Sequence, residues 1–572
     1  MEFSLTPGYK ELFGAEINDP NELISEYSSQ EVIFYLSLIN AQLYLNNEDD
    51  PVFQENLIIK IGTYWPLDLQ SSWSDIIGNF IVRYKSKPNF FKSVYATYFL
   101  NNELQNFRDK GKQLGAYGEF QVLKAYFAYI DKFNQESNFV DKTQNIDRND
   151  IYKFQKIHWP FLIKQFDFNE KTDPLFQALC AGLLLEYFFF ESTSHDKVVE
   201  YIRSYKKTSI WNFVFDFLEL IKISFEKNKK HDINNFAIQP SEGFEEILRA
   251  FSIDIPKFKS NSKLHKDYLG MRQTPLFETN NNLFLVASWK FFHNSIYLGV
   301  FHDFLKKSDL KFESLKPKIG YEVIEKKLFR SILDYAFNSY KGELHFSDVE
   351  GSPDCYLRLG HFIFLFELKD YLISAETIAS GSFEKIEEHL LSRFVATEKG
   401  KAKGVKQIIN QIDFLKTNTF EFDNFVAKGI KRRNIVILPI IVTTTFTYQM
   451  PGVNSFLAQH FYDNLSSSTE FKKIYPVTMI DLKFFYRQFM RIKRKEFDLK
   501  SLIIDYQKKI RTAKKKLRKR PNLSTEFLAN SSFEELLPDA IKKLPIAQKE
   551  KDFVNGLMDA IKIVPESSNI NR

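Results

Sequence analysis

Cysteine is scarce in this sequence of 572 residues. The only two are Cys180, in the apolar run ALCAGLLLEYFFF, and Cys355, in the stretch SPDCYLRLG. Two isolated cysteines provide neither a disulfide framework nor a zinc site built from paired cysteines. A reducing compartment fits this usage, and we expect a cytoplasmic protein.

Long apolar runs are also missing. The longest are LFLVASW, FIFLF and IVILPIIV, because Glu186 interrupts residues 178–190, and all fall far short of the roughly 20 residues that a membrane-spanning helix needs. The N-terminal stretch MEFSLTPGYKELFG has neither the basic start nor the apolar core of a signal peptide. These absences predict a soluble protein without a membrane partner.

Motifs of several enzyme classes are absent as well. The sequence holds no GxxxxGK[ST] phosphate loop, no HExxH, no paired CxxC and no GxSxG. Gly111, Gly115 and Gly118 do not form a dinucleotide fingerprint, because no strand clearly precedes them. Helicase or ATPase activity is therefore not expected in this chain, and any energy-using partner is a separate subunit.

Positive charge, by contrast, is concentrated in one segment. Residues 483–520 contain 16 Lys/Arg and three acids, a net charge of +13. The whole chain has a net charge of +6, so the remaining residues have a net charge of −7. Such a segment is typical of an electrostatic footprint for nucleic acid, and Arg491, Lys493 and Arg494 are its candidate contacts. The alternatives are a solvated helix face and a surface that packs on an acidic protein partner.

Hydrophobic patterning divides the chain into four parts. Residues 1–270 read mainly as long amphipathic or apolar helices, and residues 271–314 as a connecting strand and helix segment. Residues 315–485 alternate helices and strands, and residues 486–572 are helical and basic before they become polar. We expect an α+β multidomain protein with a helical N-terminal region, an α/β core and a helical basic C-terminal tail.

The third part contains a run of three strands between two helices. The helix GYEVIEKKLFRSILDYAF precedes the strands GELHFSDV, DCYLRLG and HFIFLFELK, with a tight turn at Gly360-His361. The helix KGVKQIINQIDFLKT and the β-branched strand NIVILPIIVTTTF follow. This order predicts a sheet with flanking helices.

Charged residues lie at the start of one of these apolar strands and at the end of the next. Asp354 follows Pro353 at the start of one strand, and Glu367-Leu368-Lys369 ends the strand after it. Alternation places Glu367 and Lys369 on the same face, where buried charges are costly unless they are paired or hold a metal. Two carboxylates from neighbouring strands are hard oxygen ligands suited to Mg²⁺ or Mn²⁺. The alternative is an edge-strand Glu/Lys pair without a metal.

Pro353-Asp354 with Glu367-Leu368-Lys369 resembles the PD-(D/E)XK motif of restriction-endonuclease-like nucleases, over about residues 315–485. The resemblance implies a nuclease core in which Asp354 and Glu367 bind Mg²⁺ or Mn²⁺ and Lys369 orients the attacking water. Many relatives add an acid from the helix before the sheet. Glu325 lies on the apolar stripe of that helix and is the better candidate for a third metal ligand than Glu322, a helix-start acid.

Polar residues of the next helix complete the predicted site. Some family members carry a glutamine, or a Gln-x-x-x-Tyr pair, on this helix. Gln407 is therefore a candidate supporting residue, and Gln411, which stands where the tyrosine would, is a second one. Lys403 and Lys406 are candidate phosphate contacts, or else only solubilise a loop.

The resemblance implies a metal-dependent endonuclease that hydrolyses phosphodiester bonds, with DNA favoured over RNA as the substrate. A large additional helical region, used for substrate selection, regulation or assembly, suggests a role in bacterial antiviral defence or restriction. A homo-oligomer or a separate partner subunit is compatible with this organisation. The alternative function is a catalytically inactive protein with a nuclease fold that binds nucleic acid or acts as a scaffold in a larger complex.

Overall fold

A computed structural model of the protein describes residues 6–84, 89–136, 150–170, 172–229, 237–241, 243–467, 470–542 and 550–562. The start of the stretch read for a signal peptide and the end of the basic C-terminal region lie outside these residues. The fold is mixed α+β. None of the described helices combines the length and the apolar character needed to cross a membrane.

Helices dominate the described chain. In the first half they are α1 Tyr9–Phe13, α2 Ser29–Leu45, α3 Pro51–Gly62, α4 Leu67–Tyr84, α5 Ser93–Gln105, α6 Ala116–Glu136, α7 Lys153–Gln165, α8 Pro174–Phe190, α9 His195–Ser204, α10 Ile210–Lys229, α11 Glu245–Ala250, α12 Ile255–Ser260, α13 Leu269–Gln273, α14 Trp289–Ser295 and α15 Leu298–Ser308. In the second half they are α16 Phe312–Ile319, α17 Ser331–Phe337, α18 Ala375–Ser380, α19 Phe383–Leu390, α20 Gly404–Thr417, α21 Val453–Asn464, α22 Leu482–Lys493, α23 Leu499–Lys519, α24 Leu523–Asn530, α25 Asp539–Lys542 and α26 Glu550–Ile561.

The strands form two sheets. They are β1 Ala237–Ile238, β2 Leu276–Glu278, β3 Phe284–Val286, β4 Glu343–Phe346, β5 Cys355–Leu359, β6 Phe362–Lys369, β7 Val436–Thr443, β8 Lys473–Ile474 and β9 Thr478–Asp481. The first three make a small antiparallel sheet in the order β1-β3-β2. The other six make a mixed sheet in the order β4-β5-β6-β7-β8, with β9 also paired to β7. The strands predicted at β4, β5 and β6 and the helix predicted at α20 are confirmed. The helix predicted over residues 320–337 is continuous, but Gly320–Arg330 is π-helical, and α18 and α19 were not predicted.

Two compact units divide the chain. The helical unit consists of Glu2–Lys142 and Phe168–Lys311, and the sheet unit of Thr143–Asp167 and Phe312–Val564. In the helical unit, amphipathic helices bury aromatic side chains such as Phe99, whose ring stacks on Tyr129 at 4.4 Å between ring centroids. The four-part division predicted above stays a prediction, because a compact unit can hold more than one domain.

Antiparallel and parallel pairings meet at β6. Strand β5 pairs with β6 antiparallel through the Gly360 turn, whose glycine has φ +59°, a conformation that favours glycine. β6 then pairs with β7 in parallel, which requires a crossover that contains α18, α19 and α20. β7 is buried along its whole length, as expected for a parallel strand covered on both faces.

One face of the large sheet packs on α20 and α21. Ile363 and Leu365 of β6 share this core with Ile408 and Ile412 of α20. The indole of Trp159 on α7 is fully buried in the same core, and its Nε1 donates to the carbonyl of Pro451 at 2.9 Å. Helix α7 therefore completes the core of the sheet unit from far away in the sequence.

The opposite face packs on a long helix that changes its winding. A π-helical segment, Gly320–Arg330, joins α16 directly to α17. Its Phe329 ring lies against Phe366 of β6, and Phe366 also contacts Phe485 of α22. The next residue of β6 with the same orientation as Ile363 and Leu365, on the α20 side, is Glu367.

Candidate active site

The strand pairing brings Asp354 next to Glu367. Cys355 of β5 lies opposite Phe366 of β6, so the residues just outside this pair are Asp354 and Glu367. The Asp354 Oδ2 accepts a hydrogen bond of 2.7 Å from the backbone N–H of Leu368. This bond fixes the carboxylate at the end of β6 where the predicted site lies.

Glu367 and Lys369 form a buried ion pair. Lys369 Nζ donates to Glu367 Oε2 at 2.7 Å, which confirms that the two side chains share one face. The relative exposure is 0 % for Glu367 and 8 % for Lys369. A pair so deeply buried needs further polar contacts to offset the loss of hydration of both ions.

Gln411 of α20 supplies one of those contacts. Its Nε2 donates to Glu367 Oε1 at 2.6 Å, and the side chain is buried. Gln407, one turn earlier, is half-buried, and its Oε1 has no hydrogen-bond partner in the part of the chain that the structure describes. The structure therefore brings Gln411, the second of the two predicted glutamines, to the carboxylate of Glu367.

Electrostatics at this site favour less negative charge. Burial, opposed by Lys369 and assisted by the nearby carboxylate of Asp354, raises the pKa of Glu367 to about 7. Burial also raises the pKa of Asp354. Although burial alone would lower the pKa of Lys369, the carboxylates of Glu367 and Asp354 raise it above its usual value. Two carboxylates share one ammonium, so a further cation would relieve their repulsion.

Glu325 reaches the vicinity of the site but is held by an arginine. Arg330 Nη2 donates to Glu325 Oε1 at 2.7 Å and also pairs with Asp348. Burial raises the pKa of Glu325, and Asp354 raises it further, while Arg330 and Lys369 lower it. Glu325 thus lies within electrostatic reach of the predicted ligands, on the helix that packs against the other face of the sheet.

A complete ligand set of three acidic residues is not assembled in this structure. Among the described residues, no group of three or more His, Cys, Asp and Glu side chains is placed to hold a metal ion. Asp354 and Glu367 are adjacent carboxylates and fit a hard divalent cation in chemistry. The buried, unpartnered Oε1 atoms of Gln407 and Gln411 are further hard oxygens on the helix beside them. The ligand role of Glu325 stays a prediction.

Lys403 and Lys406, the two predicted phosphate contacts near α20, are both partly buried. Burial lowers the pKa of Lys403, and Lys369 lowers it further. Lys406 is half-buried on α20. Lys403 thus lies within electrostatic reach of Lys369, and its role as a phosphate contact stays a prediction.

The predicted contacts at the end of α22 are engaged within the protein. Arg491 donates to Glu496 at 2.9 Å and to the carbonyl of Ala540 at 3.1 Å. Lys493 Nζ lies 3.4 Å from the ring centroid of Tyr335. Arg494 lies 4.0 Å from Glu496. The structure does not bring these three cations to Glu367, and their role in binding nucleic acid stays a prediction.

Arg330 could not be identified in the sequence, because an α-helix would not pair it with Glu325. Residues five apart lie on different faces of an α-helix. In a π-helix the backbone hydrogen bonds join residues five apart, so residues i and i+5 lie one above the other. The π-helical segment therefore brings the side chains of Glu325 and Arg330 together. The carboxylate-to-guanidinium pairing is visible only once the winding of this helix is known.

Comparison with known proteins does not identify a family. No protein-family model, no curated protein and no solved structure matches this chain.

Proposed function

We propose that this protein is a metal-dependent nuclease that hydrolyses phosphodiester bonds, with DNA favoured over RNA. The observation that supports the proposal best is the buried Glu367–Lys369 pair at the end of β6, braced by Gln411, with the half-buried Asp354 beside it. A buried ion pair is often no more stabilising than apolar side chains of similar size. Its presence here therefore favours a function over a purely structural role.

Each residue has a role in the proposed reaction. Asp354 and Glu367 would hold Mg²⁺ or Mn²⁺, which when bound supplies Lewis acidity and lowers the pKa of water. Lys369 would orient the water through its ammonium and offset the negative charge that develops at phosphorus. Gln411 keeps Glu367 in place through its amide N–H. Lys403, close to Lys369, would bind the phosphate that is attacked.

Cleavage by the purified full chain tests this proposal. Labelled DNA and RNA are incubated with Mg²⁺ or Mn²⁺, and Asp354→Asn, Lys369→Ala and the control Glu388→Gln are compared with the natural protein. Asparagine keeps an oxygen that can accept from Leu368 N–H, and Glu388 is an exposed residue of α19 outside the site. We expect both site variants to lose roughly 10²–10³-fold in rate or more, as for other electrostatic stabilisers of a transition state.

The outcome of that comparison is decisive only when the variants are folded. Thermal unfolding of each variant therefore accompanies the assay. Equal cleavage by the natural protein and both folded site variants would overturn the catalytic assignment.

A second function, nucleic-acid binding or scaffolding without catalysis, is favoured by one observation. Both oxygens of Glu367 already accept hydrogen bonds, from Lys369 and from Gln411. These bonds use part of the lone-pair capacity of Glu367 and would compete with a metal ion for it. Absence of cleavage with either metal, together with retained nucleic-acid binding, would favour this second function. A role in bacterial defence or restriction remains a prediction under either function.

A further inference from the structure

A basic groove lies in the sheet unit along helix α23. It has a volume of about 520 Å³ and is formed by α23, by α21 and by residues 473–476. None of its lining residues belongs to the candidate active site. We define the basic groove by its cations, which are Lys473, Lys508, Arg511, Lys514, Lys515 and Arg518.

The groove contains no compensating negative charge. No Asp or Glu is among its lining residues. In the described parts of the chain, none of the six cations forms a salt bridge with a carboxylate. This differs from the cations at the end of α22, where Arg491 and Arg494 are paired with Glu496. The positive charge of the groove is therefore available to a ligand.

Packing of α23 fixes the direction of these cations. The helix buries its apolar face through Ile503, Tyr506 and Ile510, while Lys508, Arg511, Lys515 and Arg518 recur three or four residues apart. That spacing places the four on one side of the helix over a length of about 15 Å at 1.5 Å per residue. The result is a row of cations along the groove.

The closeness of the groove cations to one another affects the pKa of Lys514. Partial burial in the groove lowers the pKa of Lys514, and the neighbouring Arg518 lowers it further. A bound anion would reverse this effect, because an opposite charge stabilises the ammonium form.

An exposed aromatic ring lies next to the cations. Tyr462 of α21 lines the groove, with a relative exposure of 53 %, and Arg511 is close enough to influence its pKa. Tyr475 also lines the groove and is half-buried under Lys473, whose Nζ lies 3.9 Å from the ring centroid. Sites for single-stranded nucleic acid typically combine cations that contact successive phosphates with aromatic rings on which the bases stack.

We propose that the basic groove binds single-stranded nucleic acid, with its row of cations on the phosphates and Tyr462 stacked on a base. This function goes beyond cleavage, because binding here does not require the candidate active site. In a duplex each base is stacked between its neighbours, which leaves no free base face for Tyr462.

The neighbouring concave surface marks where the strand ends. It is continuous with the groove through Ser455, Lys514 and Arg518, but it is also lined by Asp150 and Glu526. The positive charge of this surface is therefore partly compensated, so the nucleic acid is assigned to the acid-free groove.

Fluorescence anisotropy with the full chain tests the proposal. The protein carries Asp354→Asn and is kept in EDTA, so that no cleavage contributes, and the probe is a labelled oligothymidylate of about 20 nucleotides. The variant Arg511→Glu/Lys515→Glu reverses two groove cations. The matched control Lys516→Glu/Arg520→Glu reverses two exposed cations at the end of the same helix that do not line the groove. We expect about tenfold or greater weakening for the groove variant and less than about threefold for the control.

The ring is tested separately. Tyr462→Ala is expected to weaken binding about tenfold, in the range typical of removing an aromatic ring on which a base stacks, and Tyr462→Phe to restore it. Equal weakening by both charge-reversal variants, or unchanged binding by the groove variant, would overturn the proposal. So would a duplex of the same length that binds as tightly as the single strand, or polyglutamate that displaces the strand at matched charge. Failure of cleavage in the active-site test leaves these outcomes unaffected, so the two proposals fail separately.

Discussion

The candidate active site and the basic groove use charge in opposite ways. At the site, Glu367 and Lys369 are buried and bonded to each other. In the groove, Lys508 and Arg511 are solvated and have no carboxylate partner among the described residues. Buried charges are weakly screened by salt and costly to leave alone, whereas exposed charges are strongly screened and cost little to remove. The same residue types should therefore respond differently to mutation, pH and salt in the two regions.

The largest effect is expected from breaking the buried pair. Lys369→Ala should lower the free energy of unfolding by about 3–5 kcal/mol, because it leaves Glu367 buried without its counter-ion. Lys516→Ala on α23 should change it by about 0.5 kcal/mol or less. Chemical denaturation measures both. If the double variant Glu367→Gln/Lys369→Met were no more stable than Lys369→Ala, the cost would lie in packing rather than in the unpaired charge.

A pH dependence should follow from the raised pKa of Glu367. In the folded protein this pKa is about 7, against an ordinary value of 4.5. Between these values the folded state holds a proton that the unfolded state has lost, so the contribution of Glu367 to stability is full below pH 4.5 and falls as the pH rises towards 7. The expected change is on the order of 3 kcal/mol. Denaturation at several pH values should show it, and Glu367→Gln should flatten the curve over this window.

The two glutamines of α20 provide a finer comparison within the site. Gln411→Ala should cost about 2 kcal/mol of unfolding free energy, because it leaves Glu367 Oε1 buried without its donor. Gln407→Ala should cost about 0.5 kcal/mol or less, since its Oε1 accepts no hydrogen bond from the described residues. Equal decreases in thermal stability would show that Gln411 does not brace the carboxylate specifically.

The smallest effect on stability, and the clearest response to salt, is expected in the groove. Neutralising Lys508 and Arg511 to glutamine should change the unfolding free energy by about 0.5 kcal/mol or less for each substitution. The slope of log K against log salt for single-stranded DNA should become less steep by roughly 0.7 for each phosphate that the protein no longer neutralises. An unchanged slope would mean that these two cations do not face the phosphates.

Much of the sheet could be predicted from local patterns. The run HFIFLFELK is apolar on both faces and follows a glycine turn, so its strand and the Gly360 turn before it were predictable. Alternation along that strand correctly placed Glu367 and Lys369 on one face. The neighbouring position of Asp354 followed from the hairpin register, because a short turn allows few pairings.

The side-chain partners could not be predicted in the same way. Gln407 and Gln411 are one turn apart, and only the rotation of α20 against the sheet decides which reaches Glu367. The pairing of Glu325 with Arg330 depends on a π-helical winding that sequence periodicity does not reveal. Such details are set by tertiary packing, which overrides local preference.

The burial of Trp159 constrains where the chain can be cut. Its indole fills the core of the sheet unit and is bonded to Pro451, although the stretch Phe168–Lys311 of the helical unit separates α7 from Phe312. A fragment that begins at Phe312 would lack the Trp159 indole. Apolar core surface would be exposed, and the carbonyl of Pro451 would lose its hydrogen-bond donor. Expression of the sheet unit by itself therefore calls for two pieces supplied together, or for a circular permutation that connects residues 143–167 to the C-terminal part.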